Sequence, residues 1–258
     1  MDPIALQIGP LAIRWYGVMA ALGLLAATLL LNSNRKYTGM SKDQCTNAVM
    51  VALVAGILGA RIFYVVQFFD LYRENPVNMI RIDQGGLVFY GGFILAFLAL
   101  IVYSKLAKID IIRLWDGFTP ALSVAHAFGR IGCFLNGCCY GKPTTFFTGI
   151  PYPAGSEPAR RYGEAALHPV QLYEAGENLL CAVLYFYLVR KAPRGVAVSS
   201  YLIIYGILRF INEFARGDHK LILDLVTPAQ LIGIVLIALG SGMLFYFLRR
   251  RENQSAEV

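Results

Sequence analysis

The chain has 258 residues, of which 57% are hydrophobic and only 15% are charged, and its formal net charge is +7. Soluble domains carry about 25% charged residues, so this composition disfavours a cytosolic enzyme. It also excludes a disordered chain, which needs low hydrophobicity and high charge. Basic loops on the cytoplasmic face of a membrane explain the positive charge better than nucleic-acid binding does.

Seven segments are apolar enough to be predicted as membrane-spanning helices, which need about 20 mostly apolar residues. The fourth is weaker than the others because it contains Asp116 and His126, and the fifth is short unless residues 171–177 are also helical. In chain order the predicted spans are 15–34, 48–69, 85–104, 114–128, 178–189, 196–214 and 225–248. The sequence therefore predicts an all-α polytopic membrane helix bundle that forms a single domain over residues 1–258.

Basic residues concentrate in alternate connections, with three Lys or Arg after each of spans one, three, five and seven. Cytoplasmic loops carry such an excess, so the N-terminus is predicted outside and the C-terminus in the cytoplasm. The long connection 141–167, rich in Pro, Gly and Thr, then lies outside the cytoplasm as a loop or a small head.

Three arginines fall inside or at the ends of these spans, namely Arg61, Arg130 and Arg209. Ionisable groups at membrane depth are costly and usually face a bundle interior or a watery cavity, although snorkelling and structural ion pairs are the alternatives. Arg130 lies in the glycine-rich segment 129–141, GRIGCFLNGCCYG, which predicts irregular backbone beside a cavity. An arginine there suits an anionic lipid headgroup, because its fork of donors matches phosphate oxygens.

Two further polar clusters lie on predicted helices. His168 precedes Pro169 near a helix start, and Gln171, Glu174 and Asn178 continue a polar stripe into span five. The end of span six places four polar residues on one face, where Glu213 is positioned to orient Arg209. These four are Tyr205, Arg209, Glu213 and Arg216. Interhelical hydrogen bonds or an ion-pair ladder are the structural alternatives.

Five cysteines are present, three of them clustered as Cys133, Cys138 and Cys139. This Cys-x4-Cys-Cys run lacks the regular paired spacing of a zinc site, so packing or a disulfide is favoured over a metal. No metal and no cofactor is predicted. His126 is predicted to be a hydrogen-bonded interior residue.

Five motifs in this order resemble those of the bacterial prolipoprotein diacylglyceryl transferases, and together they span almost the whole chain. They are RWYG at 14–17, GGLVFYGG at 85–92, GRIGCFLNGCCYG at 129–141, HPVQLYE at 168–174, and YGILRF at 205–210 followed by Glu213 and Arg216.

The resemblance implies a multi-pass transferase of the bacterial inner membrane. The family moves the diacylglyceryl group of phosphatidylglycerol to the lipobox cysteine of a preprolipoprotein signal peptide, forming a thioether and releasing glycerol phosphate. It also implies that Arg130 binds the lipid phosphate and that Arg209 is a second essential arginine. Other motif positions assigned to the lipid site are Tyr16, Asn136, Gly141, Tyr205 and Glu213.

The chain departs from the family pattern at three positions. Cys133 stands where Asn is common, Cys138 where an acidic residue is common, and Tyr90 where His is frequent. A tyrosine hydroxyl is a poor base at neutral pH. The catalytic set is therefore predicted as Arg130, Arg209, Tyr90 and His168, with Glu174 as another substitute base.

Two rival functions fit the same buried arginines. An anionic-lipid transporter would move lipid without forming a thioether, and an inactive paralogue would bind phosphatidylglycerol without turnover.

Overall fold

The computed structural model describes residues 3–9, 11–73, 75–81, 85–217 and 226–256. Within these ranges the chain is mainly helical. The helices are α1 (Trp15–Thr38), α2 (Lys42–Gln67), α3 (Phe89–Leu106), α4 (Ile111–Asn136), α5 (Glu157–Tyr162), α6 (Val170–Lys191), α7 (Val196–Ala215) and α8 (Pro228–Ala256). Two short 3-10 helices, Phe69–Tyr72 and Pro76–Ile80, lie between α2 and α3.

Five of the predicted spans coincide with helices long and apolar enough to cross a membrane, namely α1, α2, α3, α7 and α8. The predicted start of span seven, Leu225, lies outside the described residues. The chain is therefore a polytopic helical membrane protein, as predicted.

The two weaker predicted spans are also helices, and both are longer than predicted. α4 has 26 residues and continues beyond Phe128, whereas α6 has 22 residues and includes residues 171–177. Neither is apolar enough to belong to the five clearly apolar spans. Their polar residues are those that build the site described below, so the count of seven spans and the orientation stay predictions.

A two-stranded antiparallel hairpin, which the sequence pattern did not indicate, precedes α1. Strand β1 (Ile4–Ile8) pairs with β2 (Leu11–Arg14), and Gly9 in the turn has a φ of 59°. A positive φ is easily adopted by glycine, which lacks a Cβ. β2 leads directly into α1 at Trp15.

The chain divides into two compact units, residues 1–38 with 115–258 and residues 39–114. Each unit is held by a helix pair that meets through glycine. In the smaller unit a Cβ on Gly59 of α2 would lie 2.4 Å from the carbonyl oxygen of Gly91 in α3. In the larger unit a Cβ on Gly206 of α7 would lie 2.7 Å from the carbonyl oxygen of Gly233 in α8. Small residues allow such close backbone approach between membrane helices.

Arg61 organises the connection between α2 and α3 in the smaller unit. Its guanidinium donates to the carbonyl oxygens of Asn78, Met79, Gly85 and Gly86 at 2.6 to 3.0 Å. The rings of Tyr64 and Tyr72 lie 5.7 and 5.4 Å from its Cζ. The buried arginine therefore fixes the backbone that leads into the glycine-rich start of α3.

Asp116 of α4 caps the start of α7. Its carboxylate accepts from the backbone N–H groups of Gly195 at 2.7 Å and Val198 at 2.9 Å. The first N–H groups of a helix have no partner within the helix, and a negative charge there is favourable. The acidic residue that weakened the prediction of span four thus stabilises the neighbouring helix.

We expect Asp116→Ala to lower the free energy of unfolding by about 2 kcal/mol, because two buried donors lose their acceptor. The measurement is thermal unfolding in detergent, monitored by the circular dichroism of the helices. Asp70→Ala is the matched control, since the Asp70 side chain is 84% exposed and should change stability by less than about 0.5 kcal/mol. Equal stability of the two variants would contradict the capping role.

The connection between α4 and α6 contains α5 and has a small apolar core of its own. Tyr140, Tyr152 and Leu167 are buried together, with Tyr162 packed against them. Backbone hydrogen bonds tie this segment to the end of α7, including Lys142 N–H to the Ala215 carbonyl at 2.8 Å. These contacts give the predicted loop or head a defined structure, while its extracytoplasmic position stays a prediction.

Candidate functional site

Glu174 of α6 lies at the centre of a buried charge cluster between α4, α6 and α7. Its Oε2 lies 2.5 Å from Nε of Arg130. Its Oε1 lies 3.5 Å from Nη1 of Arg216 and 3.8 Å from Nη1 of Arg209. One carboxylate therefore draws together Arg130 of α4, Arg209 of α7 and Arg216. Arg216 is the extended residue that follows α7, so the predicted helical face ends at Glu213.

Arg209 has a second carboxylate partner, Glu213, whose Oε2 lies 2.9 Å from Nη1. The two residues are four apart on α7 and share a face, as predicted. Both Glu side chains are at most 4% exposed, and those of the three arginines 4 to 16%. Three guanidinium groups therefore share two buried carboxylates in this cluster.

The donors of Arg130 and Arg209 are only partly used by the protein. Arg130 contributes Nε to Glu174 and to His126, whose Nε2 lies 3.0 Å away. Among the described residues, Nη1 and Nη2 of Arg130 have no hydrogen-bond partner, and the ion pairs of Arg209 use only Nη1. The outer nitrogens of a guanidinium form the fork that binds two phosphate oxygens. The cluster therefore holds the arginines in place and leaves donors available to a ligand.

His126 joins the charge cluster to a row of aromatic rings. Because its Nε2 accepts from Arg130, the ring carries its proton on Nδ1. Its ring lies 5.7 Å from that of Tyr205, which stacks on Tyr201 at 5.6 Å with the planes 2° apart. The predicted hydrogen-bonded interior position of His126 is confirmed.

A narrow, partly open cleft lies beside this row, and its lining combines charged, amide and aromatic side chains. Its lining residues are Ser123, His126, Glu174, Glu177, Asn178, Cys181, Tyr185, Tyr201, Tyr205, Leu208, Arg209 and Asn212.

The glycine-rich segment 129–141 is more regular than predicted. α4 continues as a helix to Asn136, so the expectation of irregular backbone is wrong for residues 129–136. Gly132 instead allows α1 to approach, since a Cβ there would lie 3.2 Å from Cδ2 of Tyr16. Irregular backbone begins at Gly137, whose φ is 72°.

The end of α4 is a Schellman motif, in which Gly137 N–H donates to Phe134 O and Cys138 N–H donates to Cys133 O. This turn folds Cys138 back over Cys133, and Cys139 follows with a φ of 63°. All three thiols are free, and their sulfur atoms lie within 4.8 Å of one another. Hydrogen bonds from Cys133 and Cys138 lower the pKa of Cys139, and the charges of Arg216 and Arg130 act in the same direction.

The start of α6 fixes the turn after α4. Gln171, fully buried, donates from Nε2 to the Cys138 carbonyl at 2.7 Å and to the Tyr152 hydroxyl at 3.1 Å. Burial raises the pKa of Tyr152, which keeps the hydroxyl protonated. Pro169 is the N-cap of α6, and His168 directly precedes it near the helix start, as predicted. His168 Nδ1 lies 3.3 Å from the Tyr173 hydroxyl, which also hydrogen-bonds Thr148.

The structure brings together four of the residues predicted for the site, namely Arg130, Arg209, Tyr205 and Glu213, in or beside the cleft. Gly141 follows the turn after α4 and packs closely against two other segments. A Cβ on this residue would clash with His168 and with the Ala215 carbonyl. Tyr16 packs on α4 at Gly132 and is half exposed, and Asn136 is exposed at the last residue of α4. Tyr90 belongs to the smaller unit, in the first turn of α3, with 58% of its surface exposed.

The sequence patterns did not predict the central roles of Glu174 and Arg216 in the charge cluster. Glu174 was considered only as a substitute base, and Arg216 only as a member of the helical face. Their central role depends on which helices face each other, which spacing within one helix does not reveal. The nearest signal was a glutamate at the start of a span that also carries Gln171 and Asn178.

Comparison with known proteins gives one family. The family model described as prolipoprotein diacylglyceryl transferase matches residues 3–246. Three relatives are each named phosphatidylglycerol–prolipoprotein diacylglyceryl transferase. The Clostridium kluyveri protein is 35% identical over 254 residues, covering 98% of this chain and 99% of the relative. The Clostridium tetani protein is 35% identical (93% and 95% covered), and a Clostridium botulinum protein is 33% identical (98% and 100% covered).

Proposed function

This chain belongs to the prolipoprotein diacylglyceryl transferase family, and we propose that it transfers the diacylglyceryl group of phosphatidylglycerol to a cysteine thiol of a prolipoprotein. A thioether forms and glycerol phosphate leaves, which is the first step of lipoprotein maturation. The observation that supports the reaction most strongly is the buried arginine cluster around Glu174, with the unused donors of Arg130. It suits a monoanionic phosphodiester held at membrane depth.

Arg130 and Arg209 are assigned to the lipid phosphate. Within the described residues both outer nitrogens of Arg130 and Nη2 of Arg209 are available, and both side chains are oriented by carboxylates. The tyrosines of the cleft, led by Tyr205, would accompany the glycerol and the first acyl carbons. Tyr16, Asn136 and Gly141 are assigned to the same lipid by their motif positions.

The chemistry requires a thiolate and a stabilised leaving group. The sulfur attacks the glycerol carbon, the carbon–oxygen bond to phosphorus breaks, and the electron pair leaves on the phosphate oxygen. Arginine donors stabilise the second negative charge that this phosphate acquires, at the place where the charge develops. The same positive field favours ionisation of the incoming thiol, whose ordinary pKa is near 8.5.

Tyr90 occupies the motif position at which the family frequently has a histidine, and His168 is proposed as a substitute base. Glu174 is poorly suited to that role, because both of its oxygens face guanidinium groups. Its contacts instead support a positioning role for Arg130, Arg209 and Arg216.

The natural acceptor is proposed to be the lipobox cysteine of a signal peptide, and the setting the bacterial inner membrane. The decisive experiment incubates the purified full chain with phosphatidylglycerol and a lipobox peptide, and weighs the peptide by mass spectrometry. The peptide should gain one diacylglyceryl group, and the same peptide with Ser in place of Cys should gain none. Movement of unmodified lipid across vesicles, or lipid binding without a mass gain, would favour the rival functions.

Arg209→Lys tests whether the guanidinium fork, rather than its charge alone, is needed. Lysine keeps a positive charge near Glu213 but replaces the planar fork with a single point charge. We expect kcat/KM for phosphatidylglycerol to fall at least about tenfold, which corresponds to about 1.4 kcal/mol of transition-state stabilisation. Unchanged kinetics in the mass-spectrometric assay would argue against bidentate phosphate recognition.

A further inference from the structure

Three thiols converge at the end of α4, one helical turn from Arg130. Cys133 is three residues after Arg130 and so lies on the same side of the helix. The sulfur atoms of Cys133, Cys138 and Cys139 lie within 4.8 Å of one another, and all three residues are partly accessible. The sequence spacing favours packing, but packing alone does not require three sulfurs to face a common point.

The backbone conformation at the end of α4 brings the three thiols together. The Schellman motif places Cys138 over Cys133, and the positive φ of Cys139 turns the next residue in the same tight bend. A non-glycine residue adopts this conformation at an energetic cost. Gln171 then holds the Cys138 carbonyl from α6 at 2.7 Å. The thiols are therefore presented by a fixed turn rather than by a mobile loop.

We propose that Cys133, Cys138 and Cys139 bind one soft cation of the zinc class, and that its fourth position accepts the thiol of the incoming prolipoprotein cysteine. This inference rests on the proposed transfer reaction, whose nucleophile it activates.

The distances suit such an ion. Zinc–sulfur bonds of about 2.3 Å in a tetrahedron separate two sulfurs by about 3.8 Å, which small side-chain rotations reach from the observed spacing. Three protein ligands with one open position are the pattern of catalytic rather than structural zinc. The partial accessibility of the three cysteines leaves room for a fourth ligand.

The ion would deprotonate the incoming thiol, a task for which the side chains near the arginines are poorly suited. A thiol that coordinates such a cation loses its proton, which goes to water, and stays bound as a thiolate at neutral pH. Its sulfur then forms the bond to the glycerol carbon, while the phosphate oxygen departs with the electron pair toward Arg130. No side chain has to act as a strong base, so the tyrosine at position 90 need not take that part.

The metal site is tested without reference to activity. The purified full chain, reduced and freed of metal, is titrated with Cd²⁺, and binding is read from the ultraviolet thiolate-to-metal charge-transfer band. We expect one equivalent to bind, with affinity lowered at least about tenfold in Cys138→Ser. Serine retains a donor for the Cys133 carbonyl, which the Cys138 thiol contacts at 3.6 Å, so the fold should survive, as thermal unfolding would show. Cys45→Ala, which removes a thiol of the smaller unit, is the control and should bind like the parent.

The open position is tested by X-ray absorption of the zinc-loaded protein. The number of sulfur ligands should rise from three to four when a lipobox peptide is added, and should not rise with the Ser peptide. Failure to bind stoichiometric metal, or a count that stays at three with the Cys peptide, overturns the proposal.

Transfer assays separate this inference from the reaction on which it rests. Cys138→Ser should transfer at least about tenfold more slowly at pH 7 and recover part of the loss toward pH 9, where a free thiol ionises without help. Full transfer by metal-free protein would refute the metal site and leave the transferase intact. A fourth sulfur ligand without any mass gain in the peptide would refute the transfer reaction and leave the site intact.

Discussion

Arg130→Ala is expected to lower the rate of diacylglyceryl transfer about 10²- to 10³-fold, the usual effect of removing one donor that stabilises developing charge in a buried site. Arg130 has the outer nitrogens best placed for the phosphate, since only its Nε is engaged with Glu174 and His126. The loss should appear in single-turnover mass spectrometry of the peptide, together with weaker binding of phosphatidylglycerol in a direct titration.

The matched control for this prediction is Arg73→Ala. Arg73 has a side chain that is 69% exposed and pairs with Asp70 on the surface, an interaction that contributes little to stability. Transfer by the control should equal that of the parent. If Arg130→Ala kept both transfer and lipid binding while remaining folded, the assignment of the phosphate site would be wrong.

Glu174→Ala is expected to destabilise the protein by about 3 to 5 kcal/mol, the range found when one partner of a buried ion pair is removed. The cause is specific to this site, because three guanidinium groups would lose the carboxylate they share. Thermal unfolding of the purified protein in detergent measures the effect. Added phosphatidylglycerol should restore more stability to this variant than to the parent, since its phosphate supplies a replacement negative charge.

Two further variants are compared with Glu174→Ala in the same unfolding measurement. Glu174→Gln keeps the shape and an acceptor oxygen but removes the charge, so its loss should be smaller than that of the alanine variant. Glu164→Ala changes an exposed glutamate in the connection between α4 and α6 and should alter stability by less than about 0.5 kcal/mol. A Glu174→Ala protein as stable as the Glu164→Ala control would show that the carboxylate does not hold the arginines.

Hydropathy was enough to locate the membrane helices whose faces are mostly apolar. Spans one, two, three, six and seven follow from apolar length alone, because lipid-facing surface must be apolar at every turn. α4 and α6 were underestimated for the opposite reason, since polar residues such as His126 and Glu174 face protein rather than lipid. A helix that lines a site is the one that a hydropathy window describes least well.

The site was only partly predictable because one-dimensional spacing specifies a face but not the helix opposite. Arg209 and Glu213 are four residues apart and pair as expected. The meeting of Arg130 with Glu174 joins positions 44 residues apart, and nothing local to either residue requires it. The glycines led to a wrong prediction of irregular backbone for a similar reason. Gly132 lies in a regular helix and allows α1 to approach, whereas Gly137 forms a turn.

The hydrogen bonds of Arg61 predict how the segment before α3 responds to changes in pH and salt. Every hydrogen bond described for its guanidinium ends on a peptide oxygen, and those oxygens neither gain nor lose protons between acid and alkaline conditions. The peptide chain ahead of α3 should therefore keep its shape across that range and in concentrated salt. The ion pairs that acid or salt can weaken are those of the carboxylates around the buried arginines and the exposed pair of Asp70 and Arg73.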